Sequence, residues 1–318
     1  MRYLSAIFFL IVLQANAQQI TIRDSLSGAS VPFATISFGN GLGNFADENG
    51  QFNFSMEKYK DVDTLFISAM GYTDRAILIN ALSENVLLKS QVSQLDEVVI
   101  SATKEGKFKF RKQKPLSHGD LFASWLPTVE SEVAILFKRY DDKPSQISKL
   151  LFPINAESEY KSKGKGKFAT IFRVNFYKNQ NGFPSEPMGY ENIVFSIDEK
   201  EDKVFELDIL SKSIYIPVTG LFVSLQVLGY ENSKGGLAQT KQYREIKTAR
   251  GIQKISTSFR PLLPFIKGEI TQNTFVRRIF YNDKKWQVFD HNYNPNSKLL
   301  QTGNRNYGMG AEFKVYED

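Results

Sequence analysis

Residues 47–54, which read Asp-Glu-Asn-Gly-Gln-Phe-Asn-Phe, carry the clearest fold signal in the chain. The first four are polar and end in glycine, which is typical of a tight turn. Gln51–Phe54 then alternates polar and apolar residues, so Phe52 and Phe54 fall on one face of a strand. An EF-hand calcium loop needs about twelve residues, so we interpret the acidic run as a turn. The stretch predicts a hairpin that covers an apolar core.

Similar short strands flank this hairpin on both sides and are separated by turn signals such as Asn40-Gly41. They are Gln19–Ile22, Val31–Phe38, Thr64–Ala69, Ala76–Ile79 and Asn85–Lys89. Short strands at this spacing favour a small β-sandwich. We assign it to residues 18–90.

Residues 121–318 show the same kind of pattern, and no segment has a sustained 3.6-residue period. The predicted strands are Ala134–Tyr140, Ile147–Ile154, Phe168–Tyr177, Ile193–Ile197, Val204–Leu207, Leu221–Leu228, Ile252–Ser256, Phe275–Tyr281 and Trp286–Phe289. A short helix is predicted within Gly119–Val129, before the stop signal of Pro127. The chain is therefore predicted to be all-β, with a second β-sandwich after the first.

The N-terminus has the pattern of a cleaved signal peptide. Arg2 precedes the apolar run Leu4–Leu13, and Ala15-Asn16-Ala17 fits a small-x-small cleavage site. The apolar run is shorter than the ~20 residues that span a bilayer. We therefore expect residues 1–17 to be removed on export, with no transmembrane segment left in the mature chain. The chain has no cysteine, so packing rather than disulfides must stabilise it outside the cytoplasm.

Four ordered motifs carry a family resemblance. They are Ile22-Arg23-Asp24 with Gly28, then Val31–Ile36, Asp47–Phe52 and Leu65–Tyr72. Over Ile20–Lys89 the chain resembles the carboxypeptidase regulatory-like domain of many Bacteroidetes envelope proteins. The resemblance implies a seven-stranded prealbumin-like sandwich without catalytic activity.

In such proteins this domain often precedes the plug of a TonB-dependent outer-membrane receptor, and Leu95–Ala102 resembles the segment that joins the two. The residues after Ala102 lack plug-like motifs and are too few for a plug and a barrel. We therefore expect a stand-alone relative rather than a transporter. The segment Ile216–Val223 resembles part of a second β-sandwich that accompanies this domain in uncharacterised Bacteroidetes proteins.

Residues 91–120 are predicted to form a basic linker between the two sandwiches. Its cations interleave with aromatic residues, and the candidate contact residues there are Lys104, Lys107, Phe108, Phe110 and Arg111. One interpretation is a segment that rests on an anionic membrane surface. The alternative is an edge strand that its lysines protect from aggregation.

The sequence offers no recognisable catalytic or metal-binding set. Zinc hydrolysis needs two or three well-spaced ligands, whereas the chain has only His118 and His291. No Gly-x-Ser-x-Gly elbow is present. We expect no catalytic residue, metal or cofactor, although paired carboxylates from distant positions keep an enzyme of unrecognised type as a third alternative.

These observations lead to a functional expectation. The chain is predicted to be an exported, non-catalytic protein-interaction module of the cell envelope, periplasmic or associated with the outer membrane and accessory to a TonB-dependent system. The alternative is a carbohydrate-binding module in which Trp125 and Trp286 offer aromatic platforms to sugar rings. The formal net charge of +6, lowered by one when Arg2 leaves with the signal peptide, is mildly basic. An exported protein rarely meets nucleic acid, so no nucleic-acid partner is expected.

Overall fold

The structure is a computed structural model of the chain. It describes residues 18–91, 106–156, 168–189, 192–201, 203–238, 243–248, 251–267, 273–281 and 283–317. The predicted signal peptide at residues 1–17, the segment Leu95–Ala102 and Lys104 lie outside the described residues.

The described residues are mostly β-strand, which confirms the predicted all-β class. The strands are β1 Gln18–Asp24, β2 Thr35–Ser37, β3 Gly43–Phe45, β4 Gln51–Phe54, β5 Thr64–Ser68, β6 Arg75–Leu78, β7 Asn85–Leu88, β8 Phe108–Gln113, β9 Ser124–Trp125, β10 Ser131–Phe137, β11 Ser145–Pro153, β12 Ala169–Gln180, β13 Phe183–Pro187, β14 Ile193–Asp198, β15 Val204–Asp208, β16 Ile214–Tyr215, β17 Leu221–Tyr230, β18 Tyr243–Thr248, β19 Gly251–Ser256, β20 Leu263–Ile266, β21 Phe275–Arg278, β22 Gln287–Val288, β23 Asn306–Tyr307 and β24 Gly310–Tyr316.

Among the described residues, helical structure is confined to short turns. The α-helix α1 spans Lys298–Gln301, and 3₁₀ turns lie at Ile79–Ala81, Leu121–Ala123, Tyr140–Asp142 and Leu210–Lys212. Within the described ranges, none of the helices has the length and apolar character needed to cross a membrane.

The N-terminal sandwich consists of two sheets, with strand orders β4-β1-β7 and β3-β2-β5-β6. These seven strands confirm the predicted seven-stranded sandwich. Phe52 and Phe54 of β4 are both buried, as the alternation in that strand predicts. They pack with Ile20, Ile22 and Leu65 in one apolar cluster.

The C-terminal sandwich has a large sheet and a small sheet. The large sheet has the order β13-β12-β17-β10-β21-β22, with β14 also paired to β12. The small sheet has the order β15-β11-β24-β8, with β16 also paired to β11. Their facing residues form the main core, in which the rings of Phe137 and Phe313 lie 6.1 Å apart.

Three local predictions differ from the structure. The strand predicted over Val31–Phe38 shortens to β2, because Phe33 has a positive φ of 54°. The helix predicted within Gly119–Val129 is a single 3₁₀ turn that Asp120 caps. Part of the predicted linker is β8, which pairs antiparallel with β24. Of the two interpretations given for that basic run, the edge strand describes residues 108–113.

The two sandwiches are in direct contact. Phe45 of β3 is fully buried, and its ring lies 5.4 Å from that of Phe280 within the main core. A methyl group at Gly43 would overlap the Phe280 ring, so only glycine allows this close approach. Ser37 Oγ donates a hydrogen bond to the Phe280 carbonyl at 2.6 Å. The β2–β3 hairpin therefore anchors the N-terminal sandwich on the C-terminal one.

Candidate functional site

The large sheet carries a polar cluster on the face that points away from the main core. Alternate residues of β10, β12 and β17 point to opposite faces, and the apolar set lies in the core. The outer set is buried although it is polar. Its members are Glu132, Arg173, Asn175, Tyr177, Ser224 and Gln226, with the partly buried Arg277 of β21 beside them. We call these seven residues the polar cluster.

Glu132 is the centre of the polar cluster and is fully buried. Its Oε2 accepts a hydrogen bond from Arg277 Nε at 2.7 Å. Its Oε1 accepts from Ser224 Oγ at 2.5 Å, Tyr177 Oη at 2.8 Å and Asn175 Nδ2 at 2.9 Å. Burial alone would raise the pKa of Glu132, but Arg277 and these donors outweigh it and hold that pKa below its ordinary value. Glu132 is therefore a carboxylate, and its oxygens are fully engaged.

Arg277 is held on three sides. Besides its ion pair with Glu132, Nη2 donates to Tyr177 Oη at 2.6 Å. Its guanidinium carbon lies 4.9 Å from the centre of the Tyr177 ring and 4.5 Å from the Trp286 ring. These distances are in the range of cation–π contacts. Burial lowers the pKa of Arg277, but the charges of Glu132 and Tyr177, together with the hydrogen bond to Glu132, outweigh burial and raise that pKa above its ordinary value. The Arg277–Glu132 pair therefore stays charged.

The two tryptophans predicted as glycan platforms have packing contacts. Trp286 lies between Arg277 and Tyr177, with its ring 5.3 Å from that of Tyr177. Trp125 packs edge-on against Phe265 at 5.8 Å. Both side chains are partly buried. Both tryptophans therefore have packing contacts, and their role as glycan platforms stays a prediction.

Arg173 joins the two sandwiches. Its Nε and Nη2 donate to Gln226 Oε1 at 2.9 and 2.6 Å, and its Nη1 donates to the Phe33 carbonyl at 2.7 Å. The guanidinium carbon lies 5.5 Å from the centre of the Phe45 ring. The residue is buried, and this burial lowers the pKa of Arg173. Among the described residues no carboxylate forms an ion pair with it, so its hydrogen-bond partners are neutral.

A cleft of about 330 Å³ opens between the N-terminal sandwich and the polar cluster. We call it the interdomain cleft. The large sheet contributes Arg173, Asn175, Tyr177, Gln226 and Arg277, and the N-terminal sandwich contributes Thr35, Ser68–Tyr72 and Asp74. Lys284 closes one side, where its Nζ donates to Ser68 Oγ at 3.0 Å and lies 3.3 Å from Asp74 Oδ2. Both sandwiches therefore build the cleft, and its lining combines charged and polar side chains with apolar ones such as Met70 and Ile279.

The second candidate surface is the open edge of β8. All six of its residues are exposed. Phe108 and Phe110 lie on one face with their rings 5.6 Å apart, and Lys314 Nζ lies 4.2 Å from the centre of the Phe108 ring. On the other face Lys109 pairs with Glu317, and the guanidinium of Arg111 lies 5.8 Å from the Tyr140 ring. The edge therefore combines aromatic side chains with cations.

The backbone of β8 has free hydrogen-bonding groups on its outer side. The Lys107 carbonyl accepts a hydrogen bond from Glu317 N at 2.8 Å, so it points toward β24. In an antiparallel ladder the direction alternates from residue to residue, so the N–H groups of Phe108, Phe110 and Lys112 point outward. Among the described strands, β24 alone pairs with β8.

The two histidines differ in their surroundings. Nδ1 of His118 accepts a hydrogen bond from Asp120 N at 3.2 Å, which leaves Nε2 to donate to the Phe265 carbonyl at 2.7 Å. His291 is exposed in a turn. Within the part of the chain that the structure describes, no three His, Cys, Asp or Glu side chains are grouped to hold a metal ion.

Sequence reasoning missed the polar cluster, although a signal was present. Glu132 and Arg173 are charged residues beside apolar runs in β10 and β12. A buried charge is costly unless it is paired and hydrogen-bonded. A charge beside such a run therefore indicates a partner on a neighbouring strand, as Arg277 is for Glu132.

Comparison with known proteins gives a result for the first part of the chain. No curated protein matches this chain. One solved structure with some similarity comprises the cysteine protease and lectin-like domains of a surface-layer-associated protein of Clostridium difficile. The identity is 12%, the TM-score is 0.30, and the match covers 58% of this chain and 32% of that one. Residues 21–100 match the family model of the CarboxypepD_reg-like domain. The N-terminal sandwich of this protein is therefore a carboxypeptidase regulatory-like domain.

Proposed function

We propose that this protein is an exported, non-catalytic interaction module of a bacterial cell envelope, and that it binds a protein partner by strand addition along β8. The observation that carries the proposal is the open edge of β8, with its outward N–H groups and exposed side chains. In strand addition, main-chain hydrogen bonds supply affinity and alternate side chains supply specificity. The signal-peptide pattern supports export, and the resemblance of Leu95–Ala102 supports a partner in a TonB-dependent system.

The charge of the edge selects the kind of partner. Residues 107–114 contain Lys107, Lys109, Arg111, Lys112 and Lys114 and no acidic residue. Pairing of two copies of this strand would place like charges opposite each other, which is destabilising. An acidic strand would be attracted instead. The proposed partner is therefore a different protein that presents an extended acidic segment.

The aromatic face of β8 supplies anchor points for such a segment. Phe108 and Phe110 are 44% and 56% exposed. The Phe108 ring also lies 6.4 Å from that of Tyr316 in β24. Aromatic side chains are enriched among the residues that dominate binding energy at interfaces.

The carboxylates near the cleft support a non-catalytic role. Glu132 is engaged by Arg277 and three further donors. Asp74 is close to Lys284 and largely exposed. A general acid or base needs a carboxyl group within reach of substrate and with a suitable pKa, and Glu132 is buried with a lowered pKa.

The test is a comparison of two variants at one position of the edge. Lys112→Pro removes an outward N–H, a change that edge strands tolerate, whereas Lys112→Ala removes only the side chain. The mature chain, residues 18–318, and both variants are used to capture proteins from solubilised envelope of the native host. We expect wild type and Lys112→Ala to enrich the same protein and Lys112→Pro to lose it. Equal capture by Lys112→Pro, with its fold intact by circular dichroism, would contradict strand addition.

A charge reversal tests the selection of an acidic partner. Lys109→Glu in β8 is compared with Lys298→Glu, which changes an exposed lysine in α1 far along the chain. We expect only Lys109→Glu to weaken capture and to reduce its dependence on salt. Binding to anionic lipid vesicles that is indifferent to Lys112→Pro would support the membrane interpretation in place of this one.

A further inference from the structure

The charges around the interdomain cleft do not balance. Arg277 is neutralised by Glu132, whose Oε2 lies 2.7 Å from it. Lys284 is neutralised in part by Asp74 at 3.3 Å. Arg173 is the third cation that lines the cleft, and it has only amide, carbonyl and hydroxyl oxygens as partners. One cation without a carboxylate partner therefore faces the cleft among the described residues.

Burial of a cation that has no bonded carboxylate costs free energy. Burying a charged group is tolerated when an opposite charge and hydrogen bonds compensate it. Arg173 is only 8% exposed, its direct hydrogen-bond acceptors are neutral, and the one charge of Glu132 is shared between Arg173 and Arg277. An anion in the cleft would supply the missing compensation.

The remaining lining groups suit hydroxyl groups. Asn175, Gln226, Ser68 and Tyr72 line the cleft and carry amide or hydroxyl groups, which can donate and accept hydrogen bonds. The volume of about 330 Å³ is at the small end of the range for small-molecule sites. Such a volume fits a ligand about the size of one sugar ring.

We propose that the interdomain cleft binds a small hydroxylated carboxylate of charge −1, such as a sugar acid, with its carboxylate between Arg173 and Lys284 and its hydroxyl groups on Asn175 and Gln226. The ligand contacts both sandwiches and strengthens their association. This site lies on the large sheet and is separate from β8 on the small sheet, so the proposal stands or falls independently of strand addition.

Calorimetric titration of the mature chain tests the proposal with matched probes. Glucuronate and N-acetylneuraminate are compared with the neutral sugars glucose and N-acetylmannosamine. We expect saturable binding of at least one anion and none of its neutral counterpart. Absence of binding by both anions, or equal binding of the neutral sugars, would overturn the proposal. A disaccharide that ends in glucuronate distinguishes a free sugar acid from the end of a glycan, since tighter binding than the monomer assigns the glycan.

We expect two variants at the cleft wall to change the affinity for the anion in opposite directions. Lys284→Met removes a cation, and we expect it to weaken anion binding roughly tenfold, the effect of one charge-assisted hydrogen bond. Asp74→Asn removes the carboxylate that competes for Lys284, and we expect it to strengthen binding a few-fold. Lys112→Met on β8 is the matched control and should bind as wild type does. Unchanged affinity in both cleft variants would overturn the assignment to this site.

Discussion

The polar cluster and β8 are both rich in cations, yet they use them in opposite ways. In the polar cluster, Arg173 and Arg277 are covered by protein, and each guanidinium is fixed by several acceptors and an aromatic ring. In β8, the cations are exposed, and the side chains of Lys109 and Lys112 keep 58% and 44% exposure although each has an acidic partner. The residue type alone therefore does not indicate what a cation does in this fold.

The difference shows that burial determines how much a charged group contributes to stability. Water screens the exposed pairs, and surface ion pairs contribute about 0–1 kcal/mol. In the polar cluster, the same kinds of groups have lost their water and depend on each other. We expect the polar cluster to govern stability and the association of the sandwiches, and β8 to govern recognition.

The largest effect is expected for Glu132→Leu. This change leaves Arg277 partly buried without its carboxylate, and removing one partner of a buried pair costs about 3–5 kcal/mol. Denaturation in urea measures the loss of unfolding free energy. The matched control is Glu312→Leu, which removes the acidic partner of Lys112 on the small sheet and should cost less than about 1 kcal/mol. Similar losses of unfolding free energy in Glu132→Leu and Glu312→Leu would contradict the expected difference between the polar cluster and the exposed ion pairs of the small sheet.

Arg173→Met should have the next largest effect. It leaves the Phe33 carbonyl and the Gln226 amide oxygen without their donor, and a buried acceptor without a partner costs about 1–3 kcal/mol. Arg173→Lys keeps the charge but not the planar fork, so its loss should fall between wild type and Arg173→Met. Urea denaturation measures all three chains. An unchanged unfolding free energy in Arg173→Met would show that other contacts hold the two sandwiches together, for example those of Phe45.

The pH dependence of stability should come partly from Glu132. Its folded pKa lies below its ordinary value, so its contribution is fully present above the unfolded pKa and is lost as pH falls through the folded pKa. One such group gives a slope of at most about 1.4 kcal/mol per pH unit. Below about pH 4.5, wild type should lose stability more steeply than Glu132→Gln, as thermal melts at several pH values can measure. Parallel pH profiles would assign the acid sensitivity to other carboxylates.

The smallest effect on stability is expected at β8. Lys109→Ala removes an exposed ion pair with Glu317 and should leave the unfolding free energy almost unchanged, because water screens exposed ion pairs. Salt at about 1 M should reduce the remaining difference further, because it screens exposed charges. The same substitution should weaken partner capture. A large stability loss in Lys109→Ala would mean that β8 has a structural role in place of recognition.

The bounds of a strand could be predicted well where the strand itself alternates polar and apolar residues. β4 matches its predicted bounds, because alternation over Gln51–Phe54 reflects burial of one face. β24 was missed, although Ala311–Tyr316 alternates in the same way. The short strands β9, β16 and β23 have two residues each, and such lengths are too short for a periodic pattern.

The candidate sites depend on pairings that no local pattern contains. Glu132, Arg173 and Arg277 are far apart in the chain, and the order of strands in the large sheet brings them together. The basic run around β8 could be recognised from composition. Its place at the edge of the small sheet follows from pairing with residues 311–316, about two hundred positions away.

The burial of Phe45 has a consequence for the order in which the protein can mature. The N-terminal sandwich is synthesised first, but the pocket for Phe45 is built by residues such as Phe280 near the other end of the chain. Until those residues have been synthesised, the N-terminal sandwich exposes an aromatic side chain, which favours association with other chains. A fragment that ends at residue 91 would therefore be a poor building block for fusion proteins, and replacing Phe45 with serine is the first change we would make to it.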